Sequence, residues 1–330
     1  MDNSSLYHPI KIKNVEIDGN IFLAPLAGYT DIPFRTICKN YGANLTTSEM
    51  VSTEGIARDN QKTENLMTRA SNEELFAIQI FTNTLDSLER GFETLLSYNP
   101  TIIDINCGCP VPKVTKTGAG SALMKTPGIM ASLVNFINKS TEIPVTVKFR
   151  TGWDLQNENY LDFAKLAIDS GASSICMHAR TKTQAYMPTA NWDHLETLAQ
   201  MVHSHYKEIP VFGSGDLFEP KDGLKMLKET NVDGIMFARG AIGNPCIFEQ
   251  TRNLLLNGEA NYPTPVETRV EIIKQQLDLM CQIKSEEIAF REMRKHCCAY
   301  LKGIRGASKV KQLLMSASSK KDYTDALSLL

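Results

Sequence analysis

Short apolar runs alternate with amphipathic stretches along the first 240 residues, and this rhythm most constrains the fold. The runs recur about every 25–30 residues, which is typical of parallel βα units. Eight such units predict an α/β chain that closes into a (β/α)8 TIM barrel. A doubly wound sheet is the alternative, but the first run lacks the G-x-G-x-x-G turn of that nucleotide-binding fold. The predicted strands are IFLAPL (21–26), LTTSEM (45–50), FAIQIF (76–81), IIDIN (102–106), VTVKFR (145–150), SICMHAR (174–180), PVFGSG (210–215) and GIMFAR (234–239).

The pattern changes beyond the eighth run. The segment NGEANYPTP (257–265) is a Pro/Gly/Asn break, and no strand pattern follows it. Residues 266–284 carry apolar positions at helical spacing, and later helical stretches are interrupted near Gly303. The sequence therefore predicts a TIM-barrel catalytic domain over residues 1–250 and a small helical domain over 262–330.

Charge is distributed unevenly along the chain. The net charge is −2, yet residues 291–321 contain nine Lys or Arg residues and one acidic residue. A dense basic segment predicts contact with a polyanion, and a solvated helix face is the alternative. Because 42% of the residues are hydrophobic and 22% are charged, a disordered chain is excluded. By its position, the basic segment belongs to the predicted helical domain.

The eight cysteines show no spacing typical of a disulfide framework. The sequence opens without an apolar signal segment, and no stretch approaches the roughly 18 apolar residues of a membrane span. These features predict free thiols in a cytoplasmic protein that has no membrane partner. Cys297 and Cys298 beside His296, with Cys281 upstream, lack the C-x2-C spacing of zinc sites, so no metal is predicted.

Cys109 is the candidate catalytic residue, because functional residues of such barrels lie at the carboxyl ends of the strands. It stands between Gly108 and Pro110, just past the strand IIDIN. The glycine permits a tight turn and the proline fixes the next step, so the thiol is held on a rigid loop. With an ordinary pKa of about 8.5 the thiol is mostly protonated at pH 7 and can donate a proton. A packed, inert thiol is the alternative, and we favour that interpretation for Cys107, on the other face of the strand.

Cationic groups and glycine-rich loops end the later strands. Lys148, His178 and Arg180 lie toward the carboxyl ends of the fifth and sixth predicted strands, and Arg239 ends the eighth as a fork for phosphate. Loops after the last two strands bind phosphate repeatedly in this architecture. The pattern predicts an anionic cofactor with a flat ring, which FMN fits better than a dinucleotide. A network that only stabilises the barrel mouth is the alternative. The glycines of these loops are Gly213, Gly215, Gly240 and Gly243.

The sequence resembles the tRNA-dihydrouridine synthases, particularly their bacterial B-type branch. The resemblance runs in order over nearly the whole chain, and the N-x-G-C-P and H-x-R-T motifs together are specific to it. The matching segments are APLAGYTDIPFR (24–35), SEM (48–50), QIF (79–81), DINCGCPVPKV (104–114), GAGSALM (118–124), VKFRTGW (147–153), MHARTKTQAY (177–186), GDLF (215–218), ARGAIGNPCIF (238–248) and REMRKHCCAYLKGIRGA (291–307).

The resemblance implies an enzyme that holds FMN in the barrel mouth and reduces it with NADPH. The reduced enzyme then converts a uridine in folded tRNA to 5,6-dihydrouridine. Cys109 would protonate carbon 5 of the uracil, Asn106 would contact the substrate, and Arg180 would orient the base together with Lys148. No obligate protein partner is implied. The residues implied to bind FMN are Pro25, Leu26, Ala27, Gln79, Lys148, His178, Ser214, Gly215, Asp216, Ala238 and Arg239.

The basic segment is the predicted RNA-docking surface. Extruding a stacked uridine costs a few kcal/mol, so contacts away from the base must offset that cost. Lys and Arg side chains would bind the phosphates without reading the sequence. Their spacing predicts that much of this charge shares one helical face, with Gly303 permitting a bend. The residues are Arg291, Arg294, Lys295, Lys302 and Arg305.

Two positions depart from the pattern of the family. Ser214 stands where an asparagine is usual, which shortens the reach of that contact. Ala299 precedes Tyr300 where the family tends to have an aromatic residue, so ribosomal RNA is an alternative substrate. Two further alternatives are a dihydroorotate- or dihydropyrimidine-type flavin oxidoreductase that acts on a small molecule, and a non-enzymatic RNA-binding protein that retains the barrel.

Overall fold

Parallel strands follow one another around a barrel in the computed structural model, which describes residues 3–330. In chain order the strands are β1 (Ile10–Ile12), β2 (Val15–Ile17), β3 (Ile21–Leu23), β4 (Thr46–Thr47), β5 (Val51–Ser52), β6 (Phe76–Phe81), β7 (Ile102–Cys107), β8 (Val145–Arg150), β9 (Ser174–His178), β10 (Val211–Ser214) and β11 (Gly234–Phe237). They are hydrogen-bonded in the order β3-β11-β10-β9-β8-β7-β6-β4, and β5 also pairs with β6. Bonds from Leu23 N to Leu45 O (2.9 Å) and from Asn44 N to Ile21 O (3.0 Å) join the two ends. The predicted (β/α)8 barrel is confirmed.

Helices surround the barrel and then continue beyond it. They are α1 (Ile32–Asn40), α2 (Thr53–Ile56), α3 (Gln61–Glu64), α4 (Leu85–Ser97), α5 (Pro112–Thr115), α6 (Pro127–Ser140), α7 (Tyr160–Asp169), α8 (Asp193–His205), α9 (Pro220–Thr230), α10 (Ile247–Asn257), α11 (Val266–Ile283), α12 (Glu286–Tyr300), α13 (Ala307–Ser316) and α14 (Lys320–Leu327). Short 3-10 helices lie at Ser4–Leu6, Asn65–Met67, Gly120–Lys125 and Arg239–Ala241.

The alternation of side chains along β7 shows how the strands place the site. All six residues of β7 are buried. Ile103, Ile105 and Cys107 belong to the core between the strands and the surrounding helices. Asp104 and Asn106 lie on the other face, because successive side chains of a strand point to opposite sides. Polar groups therefore gather inside the barrel toward the carboxyl ends of its strands.

The segment predicted as one strand at 45–50 is two short strands. β4 and β5 both pair with β6, and residues 48–50 between them leave the sheet. Ser48 stabilises this break, since its Oγ accepts a hydrogen bond from Gln79 N (3.0 Å). The periodicity predicted the pairing partner, but it did not predict the interruption.

An antiparallel hairpin formed by β1 and β2, with Ile10 opposite Ile17, was not predicted from the sequence. Ile10, Ile12 and Ile17 pack against Phe22 and Phe212, which lie near the starts of β3 and β10. The hairpin therefore closes the amino-terminal end of the barrel. The alternation of apolar and polar residues in IKIKNVEI was a signal for it, but three-residue strands are too short to stand out.

Helices α11 to α14 have a core of their own, which also takes in Ile37 and Cys246 from the barrel side. The chain reaches them through residues 257–265, the break expected from the sequence. Gly243, with φ +81°, lies so close to α12 that a Cβ there would come within 2.5 Å of the Ala299 carbonyl carbon. The helical region is thus packed tightly against the loop after β11. None of the helices within residues 3–330 combines the length and apolarity that spanning a membrane requires.

Candidate active site

A cavity of about 410 Å³ opens at the carboxyl ends of the barrel strands. It is lined by Ala24, Pro25, Leu26, Ala27, Tyr29, Met50, Asn106, Gly108, Cys109, Pro110, Val111, Lys148, Phe149, Arg150, His178, Tyr186, Ser214, Ala238, Arg239 and Ile242. Gly215 and Asp216 line a small adjoining cavity. Gln79 and Arg180 are buried outside both linings. Most of the predicted barrel residues are therefore brought together, and these two lie behind the cavity wall.

Hydrogen bonds fix the loop that carries Cys109 from three directions. Asn106 Oδ1 accepts from the backbone N–H groups of Gly108 (3.2 Å) and Cys109 (2.9 Å). Ser121 Oγ donates to the Cys109 carbonyl (2.9 Å), and Arg150 Nε donates to the Gly108 carbonyl (2.7 Å). With donors and acceptors satisfied on both sides, the loop presents Cys109 to the cavity in one position.

The surroundings of Cys109 keep its thiol protonated. Burial raises the pKa of the Cys109 thiol, and the Val111 backbone N–H and the Arg150 charge oppose this only in part. A raised pKa means that the proton is retained at pH 7, as a proton donor requires. Cys107, two residues earlier, is wholly buried among the core residues between β7 and the helices.

A positive field surrounds a neutral imidazole at the ends of β8 and β9. Burial, together with the charges of Arg150, Lys148, Arg180 and Arg239, holds the pKa of His178 well below its ordinary value. Arg180 Nη1 lies 3.3 Å from His178 Nε2. A guanidinium has only donors, so Nε2 accepts and the ring proton resides on Nδ1. His178 is therefore a neutral hydrogen-bonding group, while the neighbouring cations suit an anionic ligand.

Asp216 organises the two arginines at this side of the cavity. Its carboxylate accepts from Arg180 Nη2 (2.5 Å), the Ala190 N–H (2.8 Å) and Arg239 Nη2 (3.4 Å). Arg180 also donates to the Pro188 carbonyl (2.7 Å). Arg180 and Asp216, which the resemblance assigns to ligand binding, are thus engaged with protein groups.

The loops after β10 and β11 line the small adjoining cavity with Gly215, Asp216 and Arg239, and because of the Arg239 charge we call it the anion-suited niche. Ser214 Oγ is turned into the sheet, where it donates to the Met236 carbonyl (3.0 Å). The Arg239 guanidinium lies over the rings of Tyr186 (4.3 Å) and Phe218 (5.1 Å), and its side chain is 35% exposed. A guanidinium has five N–H donors, and the contact of Arg239 with the Asp216 carboxylate is long. Arg239 can therefore also bind a phosphate.

The basic residues of α12 point in different directions. Arg291 is exposed. Arg294 donates to the Ala317 carbonyl (3.3 Å), which ties α12 to the end of α13. Lys295 donates to the Gly28 carbonyl and lies 5.0 Å from the Tyr29 ring centroid, at the edge of the cavity.

Lys302 and Arg305 do not continue the face of α12, so the prediction of one shared helical face is wrong for them. The helix ends at Tyr300, and Gly303 turns the chain with φ +79°. Both side chains are exposed in the connection to α13. Gly303 thus permits the predicted bend, but the bend separates the charges.

Arg150 and Tyr186 are among the cavity-lining residues that were not predicted as site residues. Arg150 bonds to the carbonyls of Gly108, Thr181 (3.0 Å) and Ala185 (3.0 Å), so it joins the loops after β7 and β9. Tyr186 lies beneath Arg239. Both belong to quoted motifs, but only their positions in space reveal these contacts.

Cys297, Cys298 and His296 do not form a metal site. Cys297 and His296 are buried, whereas Cys298 is exposed. Across the described residues, no group of three or more His, Cys, Asp or Glu side chains is arranged to hold a metal ion. The cysteines in this range are all free.

Comparison with known proteins decides the family. The model of the family described as Dihydrouridine synthase (Dus) matches residues 22–329. The chain belongs to the dihydrouridine synthase family. A probable tRNA-dihydrouridine synthase of Treponema pallidum (strain Nichols) is 43% identical, over 98% of this chain and 96% of that protein. The tRNA-dihydrouridine synthase B of Pasteurella multocida (strain Pm70) is 33% identical, over 96% and 94%. This dihydrouridine synthase family member is accordingly an enzyme, and the predicted family is confirmed.

Solved structures support the barrel fold. An old yellow enzyme homologue from Zymomonas mobilis superposes with a TM-score of 0.51 at 15% identity, covering 79% of this chain and 99% of that chain. Histamine dehydrogenase from Rhizobium sp. 4-9 superposes with a TM-score of 0.53 at 12% identity, covering 84% and 51%. At these identities the likeness concerns the fold alone.

Proposed function

We propose that this dihydrouridine synthase family member reduces uridine in folded tRNA to 5,6-dihydrouridine, with FMN in the cavity and NADPH as the reductant. The observation that carries the proposal is the meeting of Cys109, Asn106, Lys148 and His178 around one cavity beside an anion-suited niche. The names of the relatives favour tRNA over ribosomal RNA. We further propose that the protein works in the cytoplasm, where its free thiols stay reduced.

The donor set fits FMN. Ala24, Pro25, Leu26 and Ala27 supply an apolar wall for a flat ring, and Asn106, Lys148 and neutral His178 supply polar groups around it. Arg239 and the backbone of the loop at Gly215 would hold the phosphate. Asp216 would act by orienting Arg239, because a carboxylate repels a phosphate.

The chemistry divides between cofactor and protein. A bound, reduced flavin supplies the hydride that saturates the uracil double bond. Cys109 holds a proton at its thiol and would donate it to carbon 5 of the base. Asn106 and Lys148 are register partners on β7 and β8, so both can contact the base from one side. Bulk water would then return the proton to the thiolate.

A direct test uses purified protein, FMN, NADPH and unmodified tRNA transcripts, with nucleoside mass spectrometry as the readout. We expect dihydrouridine to form in the tRNA and no dihydrouridine to form when free uridine is supplied instead. Turnover of ribosomal RNA alone would keep the chemistry and refute the substrate. Turnover of dihydroorotate or free uracil without RNA would support the small-molecule alternative.

Arg239→Ala should weaken FMN binding by about 1–3 kcal/mol, the range for a lost charge-assisted hydrogen bond. Titration of the apoprotein with FMN, followed by flavin fluorescence, measures the change. Arg252→Ala is the matched control, because Arg252 lies on α10 beside Glu249, outside both cavity linings. Equal FMN affinity in the two variants would remove Arg239 from the phosphate site.

Replacing Arg291, Lys302 and Arg305 together by glutamine should raise the KM for tRNA and lower the salt dependence of binding by up to about three units of log–log slope. These three side chains are exposed, whereas Arg294 and Lys295 are hydrogen-bonded within the protein. The NADPH-driven reduction of FMN should not change, because it takes place in the barrel. An unchanged salt dependence would refute the docking role.

A further inference from the structure

A chain of side-chain hydrogen bonds runs from the barrel interior to the backbone of the Cys109 loop. Gln79 and Thr146 are the register partners of Asp104 on the neighbouring strands β6 and β8. Thr146 Oγ1 donates to Asp104 Oδ1 (2.5 Å), and Gln79 Nε2 donates to Asp104 Oδ2 (2.6 Å). Asn106 Nδ2 donates to Gln79 Oε1 (2.7 Å), and its Oδ1 accepts from the N–H of Cys109.

The charge of Asp104 at one end of this chain and the backbone N–H groups of Gly108 and Cys109 at the other require the same direction for every bond. A carboxylate only accepts, so the Gln79 amide must turn its NH2 toward Asp104 and its oxygen toward Asn106. Asn106 must then offer its NH2 to Gln79, which leaves its oxygen for the N–H groups of Gly108 and Cys109. Reversing one amide would place an NH2 group against two backbone donors.

We propose that Asp104 is a positioning residue for the proton-donating thiol: it sets the orientation of Gln79 and Asn106, and these fix the Cys109 loop. The proposal rests on the proposed function for its catalytic consequence. Gln79 is fully buried and absent from the cavity lining, and its side-chain amide links Asp104 to Asn106. Asp104 is ionised at pH 8, because burial raises its pKa only to about 6 against the Thr146 and Gln79 hydrogen bonds and the Lys148 charge.

The decisive variants exchange the carboxylate and the amide. Asp104→Asn keeps the shape but presents a donor as well as an acceptor to Gln79, so the Gln79 amide can reverse. Only the backbone N–H groups of Gly108 and Cys109 then still direct Asn106. The double variant Asp104→Asn/Gln79→Glu places the carboxylate on β6. The amide introduced on β7 and the amide of Asn106 would then both donate to that carboxylate, and the oxygen of Asn106 would face Cys109 again. Thr146→Val is the matched control, because it removes a bond to Asp104 without changing the direction of the chain.

We would measure three properties of the FMN-loaded proteins at pH 8: amide hydrogen exchange at Gly108 and Cys109, NADPH-driven flavin reduction, and uridine reduction in tRNA. Asp104→Asn should speed the exchange and lower kcat for uridine reduction by about 10–100-fold, the scale for a misplaced catalytic group. Flavin reduction should stay near the parental rate. The double variant should recover the amide protection, and Thr146→Val should retain most of the protection and of kcat.

Three results would overturn the positioning role. Parental exchange and kcat in Asp104→Asn would show that the charge sets nothing. Failure of the double variant to recover amide protection, or losses as large in Thr146→Val, would mean that Asp104 matters only for packing. If the parental protein fails to reduce uridine, the proposed function falls, while the exchange data still decide whether Asp104 orders the loop.

Discussion

Cys109→Ala should cut uridine reduction by about 10²–10⁴-fold, the contribution of a well-placed general acid. Saturating the uracil double bond requires a proton, and the buried thiol with its raised pKa is the proposed donor at the cavity wall. NADPH-driven flavin reduction needs no thiol, so it should remain near the parental rate. Stopped-flow absorbance of the flavin separates the two steps, with NADPH added first and tRNA second.

Cys107→Ala is the control within the same motif. Its thiol is wholly buried between β7 and the helices, so the variant should lose some stability and little activity. Parental uridine reduction by Cys109→Ala would make Cys109 a packing residue. A loss of flavin reduction equal to the loss of uridine reduction would point to damage at the cofactor rather than to a missing acid.

The sequence predicted the barrel and the approximate place of its site because both depend on short-range patterns. Strand periodicity marks where each parallel strand ends, and those ends must meet at one edge. The period of two along β7 also places Asp104 and Asn106 inside the barrel. Cys109 reaches the cavity for a different reason, because the strand ends at Cys107 and the chain turns beyond it. The resemblance then supplied roles for Cys109 and Asn106.

Other features depend on long-range contacts that no local pattern encodes. The salt bridge between Arg180 and Asp216 joins the loop after β9 to the loop after β10, and it holds Arg180 behind the cavity wall. Lys302 and Arg305 were placed on a helix that ends before them, because charge spacing alone does not reveal where a turn begins. Gln79 was predicted to bind the cofactor, and no local pattern revealed that its amide also bonds to Asp104 and Asn106.

One buried ion pair lies beneath the loop that supplies the apolar wall of the cavity. The side chains of Arg35 and Glu73 are 2% and 0% exposed, with Arg35 Nε 2.8 Å from Glu73 Oε1. Arg35 also donates to the carbonyls of Thr30 (2.8 Å) and Thr68 (2.7 Å), while Glu73 accepts from Thr46 Oγ1 (2.5 Å). The pair therefore joins the loop after β3 to β4 and to the segment before β6.

Glu73→Ala should lower the free energy of unfolding by about 3–5 kcal/mol, because it leaves a guanidinium buried without its counterion. Urea unfolding followed by circular dichroism measures the change. Glu54→Ala is the control, since Glu54 pairs with Arg58 and Arg90 at the surface, where ion pairs stabilise little. The double variant Arg35→Met/Glu73→Leu should recover much of the loss, because it removes the unpaired charge.

If Glu73→Ala unfolds at the parental urea concentration, the pair does not hold the loop. If the double variant is no better than the single one, the hydrogen bonds of Arg35 to Thr30 and Thr68 stabilise this region more than the ion pair does.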